Sequence, residues 1–251
     1  MGFRPLIAHI LLAAGVAVAS ACGPAPSPAF PAGLTIEEHA LHEAPTLDPL
    51  AFRPVESSMD TILARHAVER ANGFPDNSLL QDGHFSLRTT INAETLVASE
   101  NYGSDSASSW VTVMHNGQEV YRVDTGMGSP VTPLRGLWAY ADHWVLETAY
   151  ITHDSIGGRL SRDGRALNTS LGYEDAFDFQ LLKGRPFYFF KKDGKIGFSY
   201  DGEDVPAGYD ELPHYGCCSD AETNPRAAQN MVAFFARRGG AWYYIEIGVF
   251  N

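Results

Sequence analysis

Short runs of aromatic and β-branched residues, each closed by a two-residue turn carrying glycine, recur along the second half of this chain. Lys183-Gly184, Asp193-Gly194 and Asp201-Gly202 punctuate Phe177–Leu182, Phe187–Lys191 and Lys195–Tyr200. Glycine in such a turn supplies the positive φ that lets two strands fold back antiparallel. Runs this short, ended this often, fit a meander of hairpins rather than helices. The same grammar appears upstream. Val111–Met114 and Glu119–Val123 flank His115-Asn116-Gly117, Leu137–Tyr140 and Trp144–Ile151 flank Ala141-Asp142-His143, and Gly158–Ser161 and Arg165–Leu167 flank Asp163-Gly164. Trp242–Val249 reads as a last strand. Aromatics at 12% and 24 glycines suit this pattern. The expected fold is mainly β, antiparallel and barrel- or sandwich-like.

Two helices are expected beside the strands. Asn224 can cap, Pro225 suits a first turn, and Arg226–Arg238 carries Ala227, Met231, Phe234 and Phe235 toward one side before Gly239-Gly240 stops it. This predicts a C-terminal helix. Ser57 or Ser58 can cap a shorter one reaching Ala71, with Met59, Ile62, Leu63, His66 and Ala67 near one face. Ile62–Val68 also fits a strand.

The N-terminus reads as an address. Arg4 is followed by an apolar run from Leu6 to Val18, shorter than the ~20 residues a permanent membrane helix needs and of the length of a signal-peptide core. Ala19-Ser20-Ala21-Cys22 resembles the lipobox of bacterial lipoproteins. The resemblance implies cleavage before Cys22, acylation of its thiol (palmitate among the chains) and attachment to the cell membrane or outer membrane. Each buried CH₂ contributes about 0.8 kcal/mol, so several acyl chains anchor a protein without a spanning helix. Cleavage after Ala21 with a free Cys22 is the other reading of these residues. Gly23–Gly33 is proline-rich and Pro45, Pro49 and Pro54 continue the interruption, so residues 22–55 read as a spacer, with a short helical turn possible over Glu37–Ala44. The divisions are a signal at 1–21, a tether at 22–55 and one β-rich domain at 56–251.

A formal charge of −12, with no basic cluster larger than Lys191-Lys192 or Arg237-Arg238, argues against nucleic acid as a partner.

Tyr173-Glu174-Asp175 opens a stretch that passes through Asp193-Gly194-Lys195-Ile196-Gly197 and reaches Tyr209-Asp210-Glu211, and this resembles one unit of the bacterial WG-type repeats. The two tyrosines stand 36 residues apart. Ile196 occupies the place where that family prefers Trp or Tyr, and no second copy is evident in the sequence. The resemblance implies a module used for interaction, without shared chemistry. A tight meander also produces such strings on its own.

Chemistry concentrates at His214-Tyr215-Gly216-Cys217-Cys218. In an exported chain, adjacent free thiols are unusual. Neighbouring Cα atoms lie about 3.8 Å apart, below the ~4.4 Å at which disulfide geometry normally starts, so a Cys217–Cys218 bond would be strained and reducible. His214, Cys217 and Cys218 could instead serve as soft ligands for zinc or copper, short of a fourth ligand. Two buried, inert thiols are the third reading. His143, His153 and Asp154 have no spacing that demands a triad. Glu174, Asp175 and Asp178 lack calcium-loop spacing. Trp110, Trp138, Trp144, Tyr188 and Tyr200 could form a sugar- or peptide-binding face or belong to the core. No cofactor is implied and no catalytic residue is singled out. The expected function is a lipid-anchored envelope protein with a non-catalytic domain for a protein, small-molecule or glycan ligand; the alternative is a thiol-redox or metal-dependent protein working through Cys217-Cys218.

Overall fold

The computed structural model describes residues 31, 33–42, 78–81, 84–104, 108–126, 132–151, 156–215 and 224–249. Among these residues seventeen strands and one helix follow in order: β1 Thr35–Ala40, β2 Ser78–Gln81, β3 His84–Ile91, β4 Glu94–Tyr102, β5 Ser109–His115, β6 Gln118–Gly126, β7 Leu134–Tyr140, β8 His143–Ile151, β9 Ile156–Arg162, β10 Arg165–Ala166, α1 Leu167–Leu171, β11 Asp175–Leu182, β12 Arg185–Lys192, β13 Lys195–Tyr200, β14 Glu203–Tyr209, β15 Arg226–Ala227, β16 Met231–Arg238 and β17 Ala241–Gly248. The mainly β class holds.

The predicted hairpin turns form where glycine stands. Asn116-Gly117, Asp163-Gly164, Lys183-Gly184, Asp193-Gly194 and Asp201-Gly202 all have positive φ at both residues, the conformation that matches strand twist in a two-residue turn. The chain therefore runs as four successive meanders: β3–β6, β7–β10, β11–β14, and β15–β17 completed by β1. Hydrogen bonding joins the first two, plus β2, into one sheet through a single parallel pairing of Gly126 with Ile151. The third and fourth are separate four-stranded sheets. None of these sheets closes into a barrel among the described residues.

Three cores fill the spaces between neighbouring meanders. Phe85, Leu96, Val111 and Leu134 are among the residues between the first and second. Val145, Leu160, Phe179, Tyr188 and Phe190 pack between the second and third. Phe187, Phe189, Phe198, Val232, Phe234 and Ile245 pack between the third and fourth. Strand β12 thus sends Phe187 and Phe189 to one core and Tyr188 and Phe190 to the other. That explains its unbroken aromatic run, since a sheet covered on both faces loses the polar alternation of a half-exposed one. Close packing of the second meander on the third needs a glycine: a Cβ on Gly158 would lie 2.4 Å from the Ala176 carbonyl oxygen.

The structure corrects the C-terminal helix. Met231–Arg238 is strand β16, paired along its whole length with β17. Val232, Phe234 and Ala236 are buried and the residues between them are not, so the operative period is two. The adjacent Phe234-Phe235 pair made a helical face look continuous. Among the described residues helix is confined to α1, which follows Arg165-Ala166 directly. The helix expected over 57–71 lies outside the described residues. Thr35–Ala40, in the stretch expected to be spacer or helical turn, is strand β1, antiparallel to β17 from Thr35↔Gly248 to Ala40↔Tyr243.

With β1 in place, the fourth meander repeats the third. The Tyr173 hydroxyl donates to both Asp204 oxygens at 2.8 Å, and the Tyr209 hydroxyl donates to Glu38 Oε1 at 2.8 Å. Asp204 pairs with Ser199, the fifth residue of β13, and Glu38 pairs with Ile245, the fifth residue of β17. Glu174 accepts the N–H of Gly194 at 2.9 Å, and Asp210 accepts that of Gly239 at 2.7 Å. A cation lies over each tyrosine ring, Lys192 over Tyr173 at 5.9 Å and Arg238 over Tyr209 at 5.4 Å. The matching arrangement in the fourth meander is completed by β1, from residues 35–40, on β17.

Glu38 is the link that closes it. Burial by itself would raise its pKa, but hydrogen bonds from Arg238 and Tyr209 outweigh that and hold it below its ordinary 4.5. A carboxyl depressed on folding stabilises the fold above its unfolded value, and that stability is lost as pH falls through the folded value. Glu38→Gln should therefore lower unfolding free energy by about 0.5–1 kcal/mol at neutral pH, the scale of a partly exposed ion pair. In urea titrations across pH, the gap between Glu38→Gln and the parent should stay constant above 4.5 and shrink below it.

Candidate functional site

The second and third meanders meet at a buried polar junction. Residues Phe177 and Gln180 of β11 bracket a register shift against β12. An irregularity of this kind re-aims backbone groups. Here the N–H groups of Asp178 and Phe179 point to the two carboxylate oxygens of Glu147, on β8, at 2.9 and 2.8 Å. Asp178 pays for this with a positive φ of 54°. The Tyr215 hydroxyl also donates to Glu147 Oε1, and the Arg135 guanidinium lies 4.7 Å from the Tyr215 ring centre. Glu147, Tyr215 and Arg135 are all buried. Burial, and then the charge of Glu147, push the Tyr215 pKa well above its usual value, so the phenol keeps its proton and remains a donor.

His214 sits beside this junction. Its ring stacks on Phe177 with centroids 3.5 Å apart and planes within 2°. Nδ1 lies 2.8 Å from the Leu212 carbonyl oxygen and Nε2 lies 3.2 Å from Asp175 Oδ2. Both neighbours are acceptors. Asp175 Oδ1 in turn accepts the Gly158 N–H at 2.6 Å. The structure thus gives each His214 nitrogen a protein partner. Cys22, Cys217 and Cys218 lie outside the described residues. Among the described residues no group of three or more His, Cys, Asp or Glu side chains is placed to hold a metal ion.

The other sequence candidates scatter. Trp110 lies under Arg122, 4.4 Å from its guanidinium, Trp144 packs on Tyr121, and Trp138 packs on Phe179. Tyr188 and Tyr200 are buried. These five do not form one exposed face. His143 Nδ1 is 2.6 Å from Asp163 Oδ2 on the surface, while His153 and Asp154 lie outside the described residues. Glu174 caps the Asp193-Gly194 turn and pairs with Lys191 at 3.7 Å. Asp178 is buried at the bulge.

A cleft of about 720 Å³ opens between the second and third meanders, inside the ~300–1,000 Å³ range of small-molecule sites. Val145, Leu167 and Phe179 give it an apolar floor, and Tyr140, Tyr173 and Tyr188 stand around them. The mouth is made by loops: Ala141 from the β7–β8 turn, Gly184 from β11–β12, Gly202 from β13–β14, and Ser170 and Leu171 from α1. His143, Arg162, Asp201 and Asp204 supply its charged groups. Strands and the first residue of α1 thus carry the floor, and turns with the end of α1 carry the rim.

Two of the cleft's polar groups already have partners within the fold. The Ser170 hydroxyl turns back to the Ala166 and Leu167 carbonyls at 3.1 and 3.3 Å, and His143 is committed to Asp163. No nucleophile–base pair forms among these residues. Sequence reasoning missed the cleft because its wall joins residues far apart in the chain. The available signals were Tyr173, at the head of the repeat-like stretch, and Tyr188, one of the aromatics considered for a ligand face. Comparison with protein-family models, curated proteins and solved structures gives no match. No helix among the described residues is long and apolar enough to cross a membrane.

The junction beneath the cleft makes a direct prediction. Tyr215→Phe keeps the ring and its packing but removes one donor from a buried carboxylate. The expected loss is about 1–3 kcal/mol, seen as a lower urea midpoint with an unchanged slope.

Proposed function

We propose that this chain is a lipid-anchored cell-envelope protein whose β domain binds a small ligand, without turning it over, in the cleft between the second and third meanders. The cleft carries this reading: it has the volume, the apolar floor, the aromatic walls and the few polar groups of a ligand site. The Leu6–Val18 run and Ala19-Ser20-Ala21-Cys22 support export and anchoring. Strand β1 adds a consequence. It begins at Thr35, thirteen residues after Cys22, so an anchor at Cys22 would keep the fourth meander within roughly 45 Å of the lipid surface. The spacer is then shorter than its proline pattern suggested.

Two experiments test the two halves separately. Cys22→Ser, expressed in a bacterial host, should move the protein from the membrane pellet to the soluble fraction; retention in the pellet would defeat the anchor. A thermal-shift screen of small metabolites and oligosaccharides should yield stabilising compounds whose effect disappears in Ser170→Trp, which places an indole at the mouth of the cleft. Compounds that stabilise both proteins equally would bind elsewhere and would defeat the cleft.

A further inference from the structure

The charges around the cleft are not equally engaged. Asp204 accepts the Tyr173 hydroxyl through both oxygens. Asp201 pairs with Arg185 at 2.8 Å, and nearby Asp163 with His143 at 2.6 Å. Lys192, the cation over Tyr173, donates to the Leu171 carbonyl at 3.3 Å. Arg162 differs. It ends β9, is exposed and lines the cleft, and its guanidinium has no hydrogen bond or ion pair among the described residues. In a chain of net charge −12 carboxylates are plentiful, yet those around this cleft are held by other groups. Its charge reaches the cleft wall: burial raises the Tyr188 pKa, and Arg162 is among the influences opposing that rise.

We infer that the ligand carries a single carboxylate beside a ring, with Arg162 receiving the carboxylate and the floor receiving the ring. This rests on the reading of the cleft as the binding site. A guanidinium offers two parallel N–H donors that match the two oxygens of a carboxylate, a bidentate fit that a point charge does not give. Asp201 and Asp204 line the same cleft and repel a second negative charge, which favours a monoanion over a phosphate dianion. Val145, Leu167 and Phe179 offer nothing to a charged group, so the body of the ligand is a ring with an apolar face. A solvated arginine without a ligand is the alternative, and the test separates the two.

The probes are benzoate, 4-hydroxyphenylacetate and glucuronate, each with its uncharged methyl ester, titrated against the detergent-solubilised full chain by ligand-observed NMR and calorimetry. At least one acid should bind roughly ten-fold or more tightly than its ester, and the preference should fall with added salt. Arg162→Gln should erase the preference, Arg162→Lys should keep part of it, and Ser170→Trp should abolish binding of acid and ester alike. Equal binding of acid and ester, a preference that survives Arg162→Gln, or failure of every acid to bind overturns the inference. Esters that bind without acid preference but remain sensitive to Ser170→Trp would leave the cleft standing and remove only the anion. Binding insensitive to Ser170→Trp would remove both.

Discussion

The carboxylate of Glu147 joins the second meander to the third. A buried charge of this kind is costly unless every lone pair finds a donor. Here the donors come from two other places in the chain: the β11 bulge presents the N–H groups of Asp178 and Phe179, and Tyr215 adds its hydroxyl. The bulge has a positive φ at Asp178, and Glu147 gives that conformation its purpose. The same bulge directs Phe177 to the core with the fourth meander and Phe179 to the core with the second. Removing the charge would therefore disturb packing on both faces of the third sheet. The cleft inherits its geometry from this contact, since Phe179 is both a donor to Glu147 and part of the cleft floor.

Local chemistry was readable wherever one segment decided its own conformation. Asp163-Gly164, Lys183-Gly184, Asp193-Gly194 and Asp201-Gly202 specify turns without help from the rest of the chain, and all four form. Met231–Arg238 shows the opposite case. Its Ala, Met and Arg residues have good helix propensity, and its strand conformation comes from β17 on one edge and the third meander beneath. Nothing within the eight residues of β16 reports that partner. Thr35–Ala40 is similar: prolines on either side disguise six residues whose partner lies at the far end of the sequence. The candidate site was the least legible part. Glu147, Arg162 and Asp204 are ordinary charged residues in sequence, and only the stacking of meanders gives them distinct roles.

The third and fourth meanders use one device for two ends. In each, a tyrosine donates to a carboxylate on the last strand, and the following acid caps a hairpin turn. In the fourth, Arg238 bridges to Glu38 at 2.5 Å as well as covering the Tyr209 ring, so the tyrosine–carboxylate pair is sealed and β1 is held. In the third, the corresponding Lys192 turns instead to the Leu171 carbonyl of α1. That leaves the Tyr173–Asp204 pair facing the cleft. Helix α1, inserted between the second and third meanders, is what diverts the lysine. A repeat that closes the domain at one position thus becomes, through a five-residue helix, the wall of an open site at the other.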